Sequence, residues 1–230
     1  MTIYGSVMDE INSRGIDCVP MSPHVQEVRM DAIRQTEEAF KGGRKQLYAA
    51  MEVVGEVLLY ARNQGVIALS KDGTFRDGPY VLDLIEKKME NKVPVRPYLE
   101  FGLEHISNGE KTENVTGFLA NRYFVCHYTA ADALTAYIYC ISVAGLIYGI
   151  SYASILEYVS SLVPDSELSC FDEFAADKKE SIEMKRYHYM GQKLGKEFSE
   201  WDADAKKIAE LDRYGLRTVF RDLLRALDDN

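Results

Sequence analysis

The amino-acid sequence predicts an all-α protein, a multi-helix bundle around a buried central apolar helix at about residues 133–156. Three observations predict it. Apolar residues recur at helical spacing through every long segment, and no stretch alternates apolar and polar residues as a half-buried strand would. The 6 prolines (Pro20, Pro23, Pro79, Pro94, Pro97 and Pro164) mostly fall at punctuation points between those segments. Between Asp132 and Glu157 the run ALTAYIYCISVAGLIYGISYASIL carries no charge over 24 residues. Such a helix has no polar face to turn to water and must be covered on all sides.

The same run is long enough to cross a bilayer. Its hydroxyls point to a bundle interior instead. Ser142, Ser151 and Ser154, with Tyr137, Tyr139, Tyr148 and Tyr152, are spread through its middle, whereas tyrosines of membrane helices gather at the interfaces. No second run of this kind and no basic flank accompanies it, so membrane attachment through 133–156 stands as an alternative reading only.

The other elements follow in order. Residues 1–21 mix Gly5, Gly15 and Pro20 without periodicity and read as an irregular arm. Ser22 followed by Pro23 is a helix start, because proline at the first helical position loses only an N–H that had no partner there. That helix is expected to run to Phe40 and to end at Gly42-Gly43. The next, from Arg44 to about Asn63, places Leu47, Met51, Val54, Leu58 and Ala61 on one stripe and breaks at Gly65. Lys71 to Gly78 is a loop by composition, and Pro79 opens a short helix through Leu82, Ile85 and Met89. Val93 to Pro97 reads as extended. Helices from Tyr98 to Asn108 and from Thr112 to Phe124 flank a turn at Asn108-Gly109, with the Thr112 hydroxyl as a candidate cap. After Pro164, Asp165-Ser166 cap a strongly charged helix, and two more are expected over Glu197–Tyr214 and Leu216–Leu227. Residues 1–230 read as one helical domain, with 165–230 a candidate subdomain.

Composition narrows the function classes. A net charge of -9 repels phosphate backbones and anionic lipid. The short basic pairs Lys178-Lys179 and Lys185-Arg186 are flanked by Asp177, Glu180 and Glu183, so no nucleic-acid partner is expected. Cys18, Cys126, Cys140 and Cys170 lie far apart with no CxxC pair, and the N-terminus lacks a basic start and an apolar core. The expected location is a reducing cytoplasm.

Motifs for catalysis are sparse. His24, His105, His127 and His188 form no ExxH or HExxH pair, so no two metal ligands are fixed on one helix face. GQKLGK and KGGRK lack the spacing of a phosphate loop. The carboxylate pairs Glu37-Glu38, Asp202 with Asp204, and Asp228-Asp229 read as solvated charge. No catalytic residue, metal site or cofactor is expected. An enzyme or small-ligand site stays open only if distant groups, Tyr139, His105, Cys126 and His127, converge between helices.

One stretch resembles a known family. Arg62, Gly65, Ala68 and Leu69 form an RxxGxxAL pattern similar to the start of the cytoplasmic segment of flagellar stator subunits of the MotA/TolQ/ExbB ion-channel family. Tyr98 to Asn121 is similar to that family's helix-turn-helix with a glycine turn, and SVAGLIYGI to its third membrane helix, so the likeness covers about residues 54–150. The family's glutamate at the end of the pattern is Ser70 here, which leaves Arg62 as the carried-over candidate for a protein contact. No pair of membrane helices precedes the pattern and no fourth follows Pro164, so the resemblance implies a soluble relative that keeps the helical scaffold and lacks a conduction path.

The sequence therefore predicts a non-enzymatic scaffold or interaction protein that self-associates or docks a protein partner. The 15 tyrosines against one tryptophan fit that reading, since tyrosine joins apolar area to a hydroxyl at interfaces. Arg62, Tyr148 and Tyr152 are the candidate interface residues.

Overall fold

A computed structural model describes residues 23–71, 78–126 and 128–193. The irregular arm, the Ser22 cap, Cys18, His127 and the two helices expected beyond residue 193 lie outside these residues. Among the described residues the chain forms eight α-helices and no strand: α1 Pro23–Arg34, α2 Thr36–Gln64, α3 Val81–Lys88, α4 Arg96–Ser107, α5 Thr112–Val125, α6 Ala130–Tyr148, α7 Tyr152–Ser160 and α8 Asp165–Lys193. A 3-10 turn, Val66–Leu69, follows α2. Contacts divide the chain into a unit of residues Met1–Lys179 and a unit of residues Glu180–Asn230. In the second, Glu180 to Lys193 is the helical end of α8.

Helix α6 is the predicted central helix, and it starts with a full capping box. The Thr129 hydroxyl accepts from the Asp132 N–H at 3.2 Å, and the Asp132 carboxylate accepts from the Thr129 N–H at 3.4 Å, which pairs two of the N–H groups that every helix start leaves open. Asp132 is the one charged residue of the helix. The apolar run does not continue to residue 156 as a single helix. Gly149 takes the left-handed conformation, φ 67°, and the Ile150 N–H closes onto the Gly145 carbonyl at 2.8 Å. Ser151 then caps α7 by accepting from the Ser154 N–H at 3.0 Å. The run is thus a helical hairpin, and Tyr137 meets Tyr158 across it, hydroxyl to hydroxyl, at 2.7 Å.

The main partner of α6 is α2, and the two run parallel. Gly43 of α2 lies against Ala131, the Gln46 amide donates to Asp132 at 2.5 Å, and the Arg62 guanidinium donates to the Ile150 carbonyl at 3.3 Å. Each step along one helix is matched by a step along the other. The expected break at Gly42-Gly43 is a kink inside α2 (Gly43 φ -136°, ψ 18°), and the helix boundary lies earlier, at Gln35. The kink has a packing reason: a Cβ on Gly43 would stand 2.2 Å from the Ala131 Cβ, so only glycine lets the start of α6 approach.

The other sides of α6 are covered in turn. On α4, Gly102 faces Val143 closely enough that an added Cβ would meet it at 2.9 Å, and Tyr98 lies beside Cys140. Helices α1 and α5 pack on it as well. Leu134, Tyr137, Ile138, Tyr139 and Val143 are all 0% exposed, and each buried side chain of this size contributes about 1.5–3 kcal/mol. One helix among the described residues, Ala130–Tyr148, is long and apolar enough to cross a membrane, and 78% of its apolar window is buried inside the bundle.

Peripheral elements are fastened by polar contacts. Arg96 ties α3 to α4 by pairing with Asp83 at 2.5 Å and with Glu86. The Val93–Pro97 segment is not extended throughout: Val95 is left-handed, φ 51°, and α4 begins at Arg96 with Pro97 in its first turn. Thr112 is buried inside α5 and makes no side-chain cap. Helix α8 lays its first half along α2, with Arg44 to Glu167 at 2.9 Å, Tyr48 stacked on Phe174 at 4.2 Å and Lys178 to Glu52 at 2.8 Å.

Two measurements test this packing. Gly43→Ala should destabilise by about 1–3 kcal/mol through overpacking. Gly42→Ala, whose Cβ meets nothing within 4 Å, should stabilise by about 0.5–1 kcal/mol; equal urea midpoints for the two variants would contradict the close α2–α6 approach. The second test is alkaline. Burial pushes the Cys140 thiol up from its ordinary 9.0 to about 12 and raises Tyr98, Tyr139 and Tyr152 above their ordinary 10.0. The folded state holds these protons more tightly than the unfolded chain, so stability falls as pH rises. Urea midpoints should begin to drop above about pH 9, as the unfolded thiol ionises, and drop more steeply above about pH 10 with the phenols. Cys140→Ala should remove the first part of that decline.

Candidate protein interface

The three residues singled out from sequence part company in the structure. Arg62 is exposed near the C-terminal end of α2, where it reaches the Ile150 carbonyl. Tyr148, at the last position of α6, is 45% exposed. Those two share one end of the parallel pair, together with Ile67, which is 59% exposed in the 3-10 turn. Tyr152 does not join them. It is buried at the start of α7 and its hydroxyl donates to the Met51 carbonyl of α2 at 3.0 Å. The glycine turn at Gly149 separates it from the helix that carries Tyr148, so the spacing of a continuous helix no longer relates the two. Tyr152 is a core residue here, and burial raises its phenol above the ordinary value.

A second surface was not legible as an interface from spacing. Helices α4 and α5 form an antiparallel hairpin about Asn108 and Gly109, whose φ is 77°. Along it the Arg122 guanidinium lies 5.1 Å from the Phe101 ring, His105 packs on Phe101 at 4.5 Å, and Phe118 lies 4.9 Å from His105. The Arg122 charge rests on the negative face of the Phe101 ring, and the His105 and Phe118 rings continue the series along the hairpin. Phe118 is 38%, Phe124 49% and Val125 77% exposed. Of the exposed large apolar side chains, these three belong to one helix. The signal that could have found them is charge: α5 carries only Glu113 and Arg122 over 14 residues, few for an outer helix.

Distant polar groups are not gathered into a reaction centre among the described residues. Tyr139 is sealed inside the bundle, His105 sits in the aromatic ladder, and Cys126 follows the end of α5 beside Tyr128. His24 and His188 lie on α1 and α8. No cluster of three or more His, Cys, Asp or Glu able to hold a metal ion occurs among the described residues.

No known protein family, characterised protein or solved structure is significantly similar to this chain. The site therefore rests on its own geometry. Within it the RxxGxxAL residues have local roles. Gly65 ends α2 with φ 84°, a conformation that favours glycine, and its N–H closes onto the Ala61 carbonyl at 2.8 Å. Leu69 is 0% exposed, and Arg62 stays at the surface.

Substitution separates core from surface. Tyr152→Phe should cost about 1 kcal/mol, the worth of one buried hydrogen bond. Tyr148→Ala should change stability by no more than about 0.5 kcal/mol, as an exposed position does. Chemical denaturation reads both, and a larger loss for Tyr148 would reverse the assignment.

Proposed function

We infer that the chain is a non-enzymatic helical scaffold that acts through protein contacts, by self-association or by docking a protein partner. One observation carries the reading: α5, an outer helix with two charged residues, displays Phe118, Phe124 and Val125 to solvent beside the Arg122–Phe101–His105 ladder. Phe118 and Val125 stand about two turns apart on one face of α5, and apolar side chains grouped at the surface mark contact sites. Aromatic residues and arginine are also the types that dominate binding energy at interfaces.

The exposed end formed by Arg62, Ile67 and Tyr148 supplies a second contact region in this reading. The likeness of Arg62, Gly65, Ala68 and Leu69 to the stator pattern extends it, making the chain a cytoplasmic relative of stator-type subunits that keeps the scaffold and uses Arg62 in a protein contact. Gly65 and Leu69 have folding roles, while Arg62 stays at the surface, where it meets the Ile150 carbonyl and is open to a partner.

Sedimentation velocity over a wide range of concentration tests the proposal. The wild-type chain should associate, and the pair Phe118→Ser and Val125→Ser should weaken association by roughly tenfold or more, the loss expected when interface anchors are truncated. The melting temperature should change little for Val125→Ser alone, at a position 77% exposed, and fall somewhat for Phe118→Ser, whose ring packs on His105, so the association loss is read for each variant at a temperature where it is folded. A wild-type chain that remains monomeric throughout, and whose binding to partners from its own cell is untouched by the substitutions, would sink it.

A further inference from the structure

Hydroxyl groups buried in this bundle follow a consistent pattern. Thr36, Thr116 and Ser142 donate to the carbonyl four residues earlier, at 3.0, 2.9 and 2.6 Å. Tyr98 donates to the Leu119 carbonyl at 3.1 Å, Tyr152 to that of Met51, and Tyr123 to the Asp31 carboxylate at 2.7 Å. Tyr48, at the contact of α2 with α8, and the pair Thr135 and Tyr139 on α6 break the pattern. The two α6 residues are 0% exposed, and neither Thr135 Oγ1 nor Tyr139 Oη has a hydrogen-bond partner among the described residues.

Their positions make this more than two separate exceptions. Residues 135 and 139 are one helical turn apart on α6, on the stripe that begins with Ala131 and Asp132 and faces α2. A tyrosine side chain on a helix leans toward the N-terminus, so that of Tyr139 extends over the turn that carries Thr135. By the offset of Gly43 with Ala131 and Arg62 with Ile150, positions 47 and 51 of α2 stand level with 135 and 139 of α6. The side chains of Leu47 and Met51, with neighbouring Ala50 and Val54, are apolar and buried, and offer no hydrogen-bonding group. Burial keeps the phenol protonated, so it has a hydrogen to donate.

We propose that Thr135 and Tyr139 form an internal binding site for an ordered water molecule in the seam between α2 and α6, which accepts from Tyr139 Oη and donates to Thr135 Oγ1. Water has the required chemistry: it is small, neutral, and both accepts and donates, and buried waters in proteins characteristically join polar groups that the chain itself leaves unpaired.

Two near-isosteric variants, Tyr139→Phe and Thr135→Val, and the double variant test it in the full chain. With a bridging water, each single substitution strands the other hydroxyl and should lower the melting temperature by about 2–4 °C. The double variant should recover most of that loss, because a fully apolar seam strands nothing. If the hydroxyls sit unpaired in a dry seam, each single substitution raises the melting temperature and the two effects add, which would overturn the site. Nuclear Overhauser contacts between the Tyr139 hydroxyl proton and a long-lived water are the independent readout. Their presence in the wild type and loss in Tyr139→Phe is the expected result, and their absence in the wild type would overturn the proposal.

Discussion

A helix with one charged residue in nineteen has no side to give to solvent, and this constraint organises the whole bundle. Helix α6 meets it by being enclosed: α2 runs alongside it, α4 contributes Gly102, α7 folds back over it, and α1 and α5 cover the remainder. Close enclosure needs small residues at the crossings. Gly43 and Gly102 are those residues, and a side chain at either would push a neighbouring helix outward. The polar contacts sit at the two ends of the pair, Gln46 with Asp132 and Arg62 with Ile150, where water is near and the cost of desolvation is small.

What the sequence made legible follows from the same constraint. Helical periodicity and the uncharged run gave the fold class and the central helix, because burial on all sides leaves a compositional mark. Boundaries were harder. Gly149 ends α6 while the apolar run continues unchanged into α7, so hydrophobicity alone cannot mark the turn; the readable sign was glycine followed two residues later by the Ser151 cap. At Gly42-Gly43 the reverse held. Glycine there serves a close approach between helices and only bends α2, a difference that depends on Ala131, a residue remote in sequence. Thr129 with Asp132 is a local capping box within a window of four residues, and its signal was present in the sequence.

The candidate interface divides in the same way. Arg62 and Tyr148 are at the surface, and Tyr152 is not, since the turn at Gly149 resets the register that linked the two tyrosines. The α4–α5 ladder went unseen because each of its members is unremarkable alone. Phe101, His105, Phe118 and Arg122 become a set only when two helices are folded against each other. Outer helices normally declare themselves by charge; α5 carries only Glu113 and Arg122, and its exposed positions mix Glu113, Asn114 and Asn121 with Phe118, Phe124 and Val125.

The parallel alignment of α2 with α6 has a kinetic consequence. Antiparallel neighbours in a helical bundle are joined by short loops, which makes most contacts local and folding fast. Here the pairings that define the centre join residues far apart in the chain: 86 positions for Gln46 with Asp132, 88 for Arg62 with Ile150 and 101 for Met51 with Tyr152. Closing such loops costs chain entropy before any apolar surface is buried, so this protein should fold more slowly than its helix content suggests. On the ribosome, the apolar stripe of α2 is made first and waits on the order of ten seconds for α6 to be synthesised. During that interval the nascent chain exposes the surface that chaperones bind, and the mature bundle hides it.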